Sequence, residues 1–211
     1  MKVLVACEYS GVVRDAFIAA GHIAVSCDIL PCESDLNADK MPYKGHYQGD
    51  VYDILNDGWD LMIAHPPCTY LSKAGARWLY PTAGNLCPDR FALGMDAKQF
   101  FMGLLNADIP RVAVENPTAL LAFELPKITQ AVQPYEYGHP YSKRTCLWLK
   151  NLPKLEPTEV LKEFKPFLPS NTGGFARGQG GSRGVAKNAH EASKTFTGIA
   201  QAMAQQWGAL E

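Results

Sequence analysis

The feature that most constrains this chain is a set of short apolar runs that each stop abruptly on a polar or turn-forming residue. "KVLVAC" stops at Glu8, "HIAVSCD" ends on Asp28, "DLMIAHPP" ends on the prolines before Cys68, and "RVAVENP" carries Glu115 and Asn116 at its end. Apolar runs this short, rich in Val and Ile and bounded by turn residues, fit strands buried on both faces of a sheet. Helical patterns lie between them. Val12, Val13, Ala16, Phe17 and Ala20 recur at helical spacing after Ser10, which is placed to cap that helix. "RFALGMDAKQFFMGLLNAD" reads as a longer helix, and "SKTFTGIAQAMAQQW" as an amphipathic one late in the chain. A short "YQGDV" precedes the third long run, while "QPYEYGHP" and "RTCLWL" read as a late antiparallel strand pair. This order predicts an α/β fold of Rossmann-like type: a mostly parallel sheet, helices on both faces and the antiparallel pair at one side. No repeat or linker divides the chain, so one domain over 1–211 is expected, with 155–190 loop-rich and suited to a minimal substrate-contacting insert.

Composition narrows the function classes. The six cysteines and five histidines among 211 residues are scattered, without the paired short spacings of a zinc site, so reduced intracellular thiols and no metal are expected. The apolar part of "MKVLVACEYSG" is too short for a signal peptide, and no run approaches the roughly 18 apolar residues of a membrane span. A soluble, cytoplasmic protein with no membrane partner is the expectation. Net charge is −1, which leaves nucleic acid open as a partner, because a groove can be basic on a neutral chain. Between Phe164 and His190 there is no acidic residue, yet Lys165, Arg177, Arg183 and Lys187 fall there among six glycines of "GGFARGQGGSRG". That stretch reads as a flexible, locally positive loop.

Open α/β sheets bind ligands at the carboxyl ends of their strands, so the strand ends form one list of candidates. They are Glu8, Tyr9, Ser10 and Gly11 after the first strand, Asp28 after the second, and Asp50 after the third. His65 to Cys68 follow the fourth, and Glu115 with Asn116 the fifth. Gly11 would let backbone approach a ligand at a helix N-terminus, and Asp28, 17 residues on, is placed to accept bonds from two ribose hydroxyls. Plain structural roles stand beside these. Asp28 and Asp50 fit simple caps, Cys7, Cys27 and Cys146 fit core positions, His65 fits a satisfied strand-end histidine, and Trp148 and Leu149 fit the core.

Taken in order, "VACEYSG", "CDILP", "GDV", "DLMIAHPPCTYLS" and "VAVENP" resemble the motifs of the DNA cytosine carbon-5 methyltransferases, in particular small phage-type members. The resemblance spans roughly residues 3 to 149, and the late "FTGIAQAMAQ" sits where that family has its closing motif. It implies S-adenosyl-L-methionine as cofactor, held by Glu8, Tyr9, Ser10 and Gly11, by Asp28 and Ile29, by Asp50 and Val51, and by His65 and Pro67. It implies DNA, duplex or single-stranded, as substrate, with a free cytosine nucleotide also open, in a bacterial or phage-infected cell.

In that family a thiolate adds to carbon 6 of cytosine, making carbon 5 nucleophilic toward the methyl group. Cys68 stands at the thiolate's position, its direction fixed by two prolines, and a helix end or nearby cation would lower its pKa. Glu115 would protonate ring nitrogen 3, and Asn116 would fix the turn or the exocyclic edge. The family's arginine-rich motif aligns with "YGHPYSKRTCLWL", where its two arginines fall opposite Lys143 and Thr145 with Arg144 between. The resemblance therefore assigns a cation near the base to Lys143 or Arg144, and contact with the flipped nucleotide to Ser72. Relatives that read a sequence carry a recognition domain before the last helix, where this chain has a loop-like stretch; Arg177 and Arg183 would touch phosphates there. Two other readings stay open. One is an amino-group methyltransferase with "HPPC" in place of an Asn/Asp-Pro-Pro-aromatic motif, and the other a non-catalytic nucleic-acid or cofactor-binding relative.

Overall fold

The structure, a computed structural model, describes residues 1–168, 184–186 and 188–210. The first strand, β1 (Lys2–Ala6), runs parallel to β2 (Ile23–Asp28) on one side, and β2 to the short β3 (His46–Gln48). On its other side β1 pairs in parallel with β4 (Leu61–Ala64), and β4 with β5 (Arg111–Asn116). The sheet is completed by β6 (Gln130–Val132) and a strand from Thr145 to Lys150, which lies between β5 and β6 and is antiparallel to both. With β7 (Tyr141–Ser142) counted first in the chain, that inserted strand is β8 (Thr145–Lys150), and the sheet order is β3-β2-β1-β4-β5-β8-β6. β7 pairs with β9 (Lys165–Pro166) in a separate two-stranded piece.

The seven-stranded, mostly parallel sheet is thus a Rossmann-like α/β architecture. Its strands alternate between two cores, because successive side chains point to opposite faces. Val3 and Val5 of β1 join α1 (Val12–Ala19), through Val13 and Phe17, and the late helix; Leu4 and Ala6 join the opposite core under the long helix. Among the helices, α2 (Ala76–Leu79) is a single turn, and α3 (Pro88–Leu105) covers the second face with Pro88 in its first turn, where a missing N–H costs nothing. Phe101 of α3 meets Trp148 of β8 edge-on at 5.0 Å. After the short α4 (Ala189–Ser193), α5 (Thr197–Gln206) packs on α1 through Ile199, Ala200 and Met203. Trp207, wholly buried just beyond α5, donates its indole N–H to Pro153 O at 3.0 Å. No helix among the described residues is long and apolar enough to cross a membrane.

Two local expectations fail for identifiable reasons. "QPYEYGHP" is not the antiparallel partner of β8. Pro134 to Glu136 make a 3-10 turn, locked by reciprocal bonds between Gln133 and Glu136, and Gly138 turns the chain again at φ 78°; the partner is the preceding Gln130–Val132. Ser10 is not the effective cap of α1. Its hydroxyl reaches the Val12 N–H only at 3.4 Å, whereas Glu8 accepts from the Val13 N–H at 2.7 Å and the Arg14 N–H at 3.2 Å. A carboxylate satisfies two orphan donors and the helix dipole together.

Because the chain moves outward in opposite directions from β1 and β4, the strand order reverses between them. A crevice opens at the carboxyl edge of such a switch point.

Candidate functional site

A cleft of about 800 Å³ occupies that edge. The loops after β1 to β5 contribute to it, together with Lys143 and the segment just before α5. At one end stand Cys68, Glu115, His65, Ser72 and Lys143.

The Cys68 turn is held from three directions. His65 donates its backbone N–H to Ala6 O at 2.9 Å, tying the turn to β1. The Cys68 carbonyl accepts from Leu71 and Ser72 at 3.2 and 3.0 Å, closing a tight loop after the two prolines. That loop is then zipped to the chain following Glu115, since Lys73 N–H donates to Thr118 O at 2.9 Å and Leu120 N–H to Leu71 O at 2.8 Å. Two distant strand ends are thereby fixed to one another.

Glu115 leaves the end of β5 with its side chain 17% exposed, and its Oε2 lies 3.3 Å from Nδ1 of His65, itself 11% exposed. Burial pushes the Glu115 carboxyl up, but the His65 bond, the His65 charge and Lys143 outweigh it and hold the pKa below the ordinary carboxylate value. Burial lowers the Lys143 ammonium, against the pull of Glu115 and Cys68. Lys143 is steered by its backbone N–H to Gln133 Oε1 at 2.9 Å, and its Nζ lies 3.4 Å from Lys194 O. The Cys68 thiol is raised above its usual range, first by burial and then by the Glu115 charge, with Lys143 opposing. The expected lowering of this thiol is therefore not found: the cation is present, but burial first and the neighbouring carboxylate second outweigh it.

The other end of the cleft is built from β2 and β3. Asp28 accepts from the Leu30 N–H at 2.9 Å through Oδ1 and lines the cleft. Ile29 beside it is 76% exposed and Leu30 47%, a small apolar patch on the cleft wall. Asp50 caps the following turn by accepting from the Tyr52 N–H at 3.0 Å, and Val51 and Phe100 continue the apolar wall. The capping roles of both aspartates are real, and both also face the cleft.

Glu8, Tyr9, Ser10 and Pro67 also line the cleft. The Glu8 carboxylate is committed to capping α1; burial raises its pKa against the opposing His65 charge and cap donors. Tyr9 reaches across to the segment before α5, with its hydroxyl 2.8 Å from Ser193 Oγ and its ring 5.1 Å from that of His190. Glu33 reinforces the same crossing with His190 Nε2 at 2.7 Å and Lys194 Nζ at 2.5 Å. These contacts make α4 a strap over the cleft.

Three candidates are not brought into the cleft. Gly11 adopts φ 74°, and an added Cβ would stand 2.6 Å from Ser34 Cβ, so its space serves the chain's own loop and not a ligand. Asn116 is fully buried and points away from Glu115's side, and neither atom of its amide has a partner among the described residues. Arg144 is exposed and outside the lining, so of these two neighbours it is Lys143 that faces the cleft. Arg177 and Arg183 lie outside the described residues.

Sequence reasoning missed Lys73, Thr118 and the strap residues Ser193 to Thr195, all of which line the cleft. It placed Cys7 in the core, but Cys7 is half-buried, lines the cleft and holds φ 57°, while Cys27 and Cys146 are buried as expected.

No family model matches the chain, and no curated protein matches it. Solved structures do. A prophage-encoded E. coli protein named as a DNA modification methyltransferase shares 17% identity at a TM-score of 0.45, over 76% of this chain and 52% of that one. The Entamoeba histolytica methyltransferase EhMeth shares 12% at 0.43, over 76% and 57%. The S. pombe Dnmt2 methyltransferase shares 16% at 0.43, over 78% and 52%. The chain spans about half the length of these proteins. Likeness at this level says nothing of what the chain does, and the site is read from its own residues.

Proposed function

We propose that the protein transfers a methyl group from S-adenosylmethionine to carbon 5 of cytosine in nucleic acid, through a covalent bond from Cys68. The observation that carries this reading is the gathering of a thiol, a carboxylate and an ammonium, Cys68, Glu115 and Lys143, close enough to feel one another's charge in the wall of one cleft. The far end offers what a nucleoside needs. Asp28 has Oδ2 without a bond among the described residues and would receive ribose hydroxyls, and the exposed Ile29 and Leu30 with the half-buried Phe100 make an apolar wall that suits a purine face. The donor set therefore fits S-adenosylmethionine, which when bound supplies a methyl group on a positively charged sulfur.

The protein's own part concerns protons and position. Cys68 passes its proton to the Glu115 carboxylate as its sulfur bonds to carbon 6, and Glu115 delivers that same proton to nitrogen 3, neutralising the displaced ring electrons. Carbon 5 would then bond to the methyl carbon as that carbon's bond to the sulfonium sulfur breaks, leaving a neutral thioether. Loss of the carbon 5 proton to a base and of the nitrogen 3 proton back to Glu115 restores the ring and expels the Cys68 thiolate. Lys143 stays as the fixed positive charge beside both groups, and the zipped loops hold Cys68 opposite Glu115 throughout.

The decisive experiment offers DNA containing 5-fluorocytosine with S-adenosylmethionine to the wild type and to Cys68→Ser. A denaturation-stable adduct in the wild type alone is expected, because fluorine blocks the final proton loss. Label from the cofactor found on the exocyclic amine, or cofactor binding with no transfer to duplex, single-stranded or mononucleotide cytosine, would defeat the reading.

A further inference from the structure

The segment leaving the Cys68 loop does more than return to α3. From Leu61 to Pro88 the chain has no acidic residue, while Lys73 and Arg77 fall within it. Its apolar anchors are buried: Leu71 is wholly covered and Leu79 nearly so, and Cys87 N–H donates to Leu79 O at 2.9 Å. Between those anchors it presents aromatic rings to solvent. Trp78 is 57% exposed and Tyr80 40%. The Arg77 guanidinium lies 4.7 Å from the Trp78 ring centroid, and Arg90 lies 4.3 Å from that of Tyr70 while donating to Thr69 O at 2.8 Å. The second pair pins the loop. The first is an outward shelf with a cation beside an uncovered indole.

The shelf follows the cleft wall directly in the chain: Lys73 and Ala74 line the cleft, and Arg77 and Trp78 come next, in α2. Exposed Trp beside Arg and Lys, without neighbouring acids in the segment, matches the chemistry of unpaired nucleotides: a ring face for a base and cations for the phosphates. A duplex keeps its base faces stacked on one another along its length, so an exposed indole beside cations favours an unpaired stretch.

We infer that residues 73–80 form a docking shelf for single-stranded polynucleotide, with the base next to the target stacked on Trp78 and phosphates met by Lys73 and Arg77. The inference rests on the proposed reaction only for what enters the cleft beyond the shelf. It narrows the substrate from nucleic acid in general to an unpaired stretch.

The test is binding, measured apart from turnover. Trp59, Trp148 and Trp207 are buried, so among the four tryptophans Trp78 dominates the solvent-accessible emission. Titration with a cytosine-containing single strand, as DNA and as RNA of the same sequence, should quench that emission; a matched duplex should not. Trp78→Ala should weaken single-strand binding about 10-fold or more, the loss seen when a stacked base loses its aromatic partner, and Trp78→Phe should restore most of it. Arg77→Ala should flatten the plot of log affinity against log salt by about 0.7. Unchanged single-strand affinity in Trp78→Ala, or duplex bound as tightly and with the same dependence on Trp78, would overturn the proposal. If the wild type forms no 5-fluorocytosine adduct yet shows the quenching and its loss in Trp78→Ala, the shelf stands and the reaction falls.

Discussion

Gly94 sits inside α3 and is buried, yet glycine disfavours a helix interior by about 1 kcal/mol relative to alanine. Its reason is Phe123. A Cβ at position 94 would lie within 3.1 Å of three carbons of that ring, and the ring cannot swing away, being 1% exposed and stacked on Phe91 at 5.6 Å. Overpacking of this kind costs about 1–3 kcal/mol. Two such contacts deep inside van der Waals range put Gly94→Ala at the upper end of that range, and the regained helix propensity returns about 1 kcal/mol. The net loss is about 2 kcal/mol, or roughly 4–8 °C in Tm at this chain length. Because Phe123 follows the stretch whose Thr118 and Leu120 zip to the Cys68 loop, the strain should also reach the site. Calorimetry gives the first quantity and the rate of Cys68 alkylation the second. A Tm equal to or above that of wild type would refute the packing argument, and Gly94→Ala with Phe123→Leu should recover most of the loss.

Cys68 titrates above an ordinary thiol because of burial first and Glu115 second. Its alkylation by iodoacetamide should therefore keep rising at pH values where a free cysteine has levelled, and Glu115→Gln should speed it at fixed pH; equal rates in the two proteins would contradict the coupling. Glu8→Ala removes the acceptor of two helix N–H groups and should cost about 1–2 kcal/mol in urea unfolding, with an unchanged midpoint as the contrary result. Glu33 is held below the usual carboxylate value by its bond to Lys194 first, with burial opposing and the Lys194 and His190 charges adding to it. Such a depressed group keeps its contribution above its unfolded value and loses it as pH falls through the folded one, so proteolysis of the strap should begin only in acid. Glu33→Gln should open it at neutral pH and weaken S-adenosylmethionine binding by up to about 5-fold, in line with an exposed ion pair; identical digestion of the two proteins would show that the pair does not hold the strap.

The strands of the parallel sheet were legible because burial on both faces leaves continuous apolar runs, and the strand ends then located most of the cleft. What escaped was set by contacts far apart in sequence or by geometry too local for a pattern. Gln130–Val132 is three residues long and has no periodicity to read. Lys143 and Arg144 are adjacent in the turn between β7 and β8, where no strand alternation says which faces inward. Gly11 looked like a ligand contact because its conflict with Ser34 depends on a loop folding back from beyond β2. The strap was invisible because Glu33 and Tyr9 meet residues near 190 only once α5 has docked on α1.

Cys68 and Glu115 are displaced in opposite directions by different causes: burial first and the Glu115 charge second raise the thiol, whereas the His65 bond and charge, with Lys143, outweigh burial and lower the carboxyl. Both line the same wall of the cleft, and His65 beside Glu115 favours the charge on the carboxylate, which adds to burial in keeping the proton on sulfur. The resting pair therefore carries its single proton on sulfur, the unreactive arrangement. Moving that proton to Glu115 changes no net charge, and it removes the carboxylate that raised the thiol while leaving Lys143 in place. On the proposed reaction the same proton is what nitrogen 3 of the base requires, so a ring seated against Glu115 draws the proton forward and frees the thiolate in one displacement. A site so arranged stays inert toward solvent electrophiles until a base arrives, and a permanently lowered thiol could not do that.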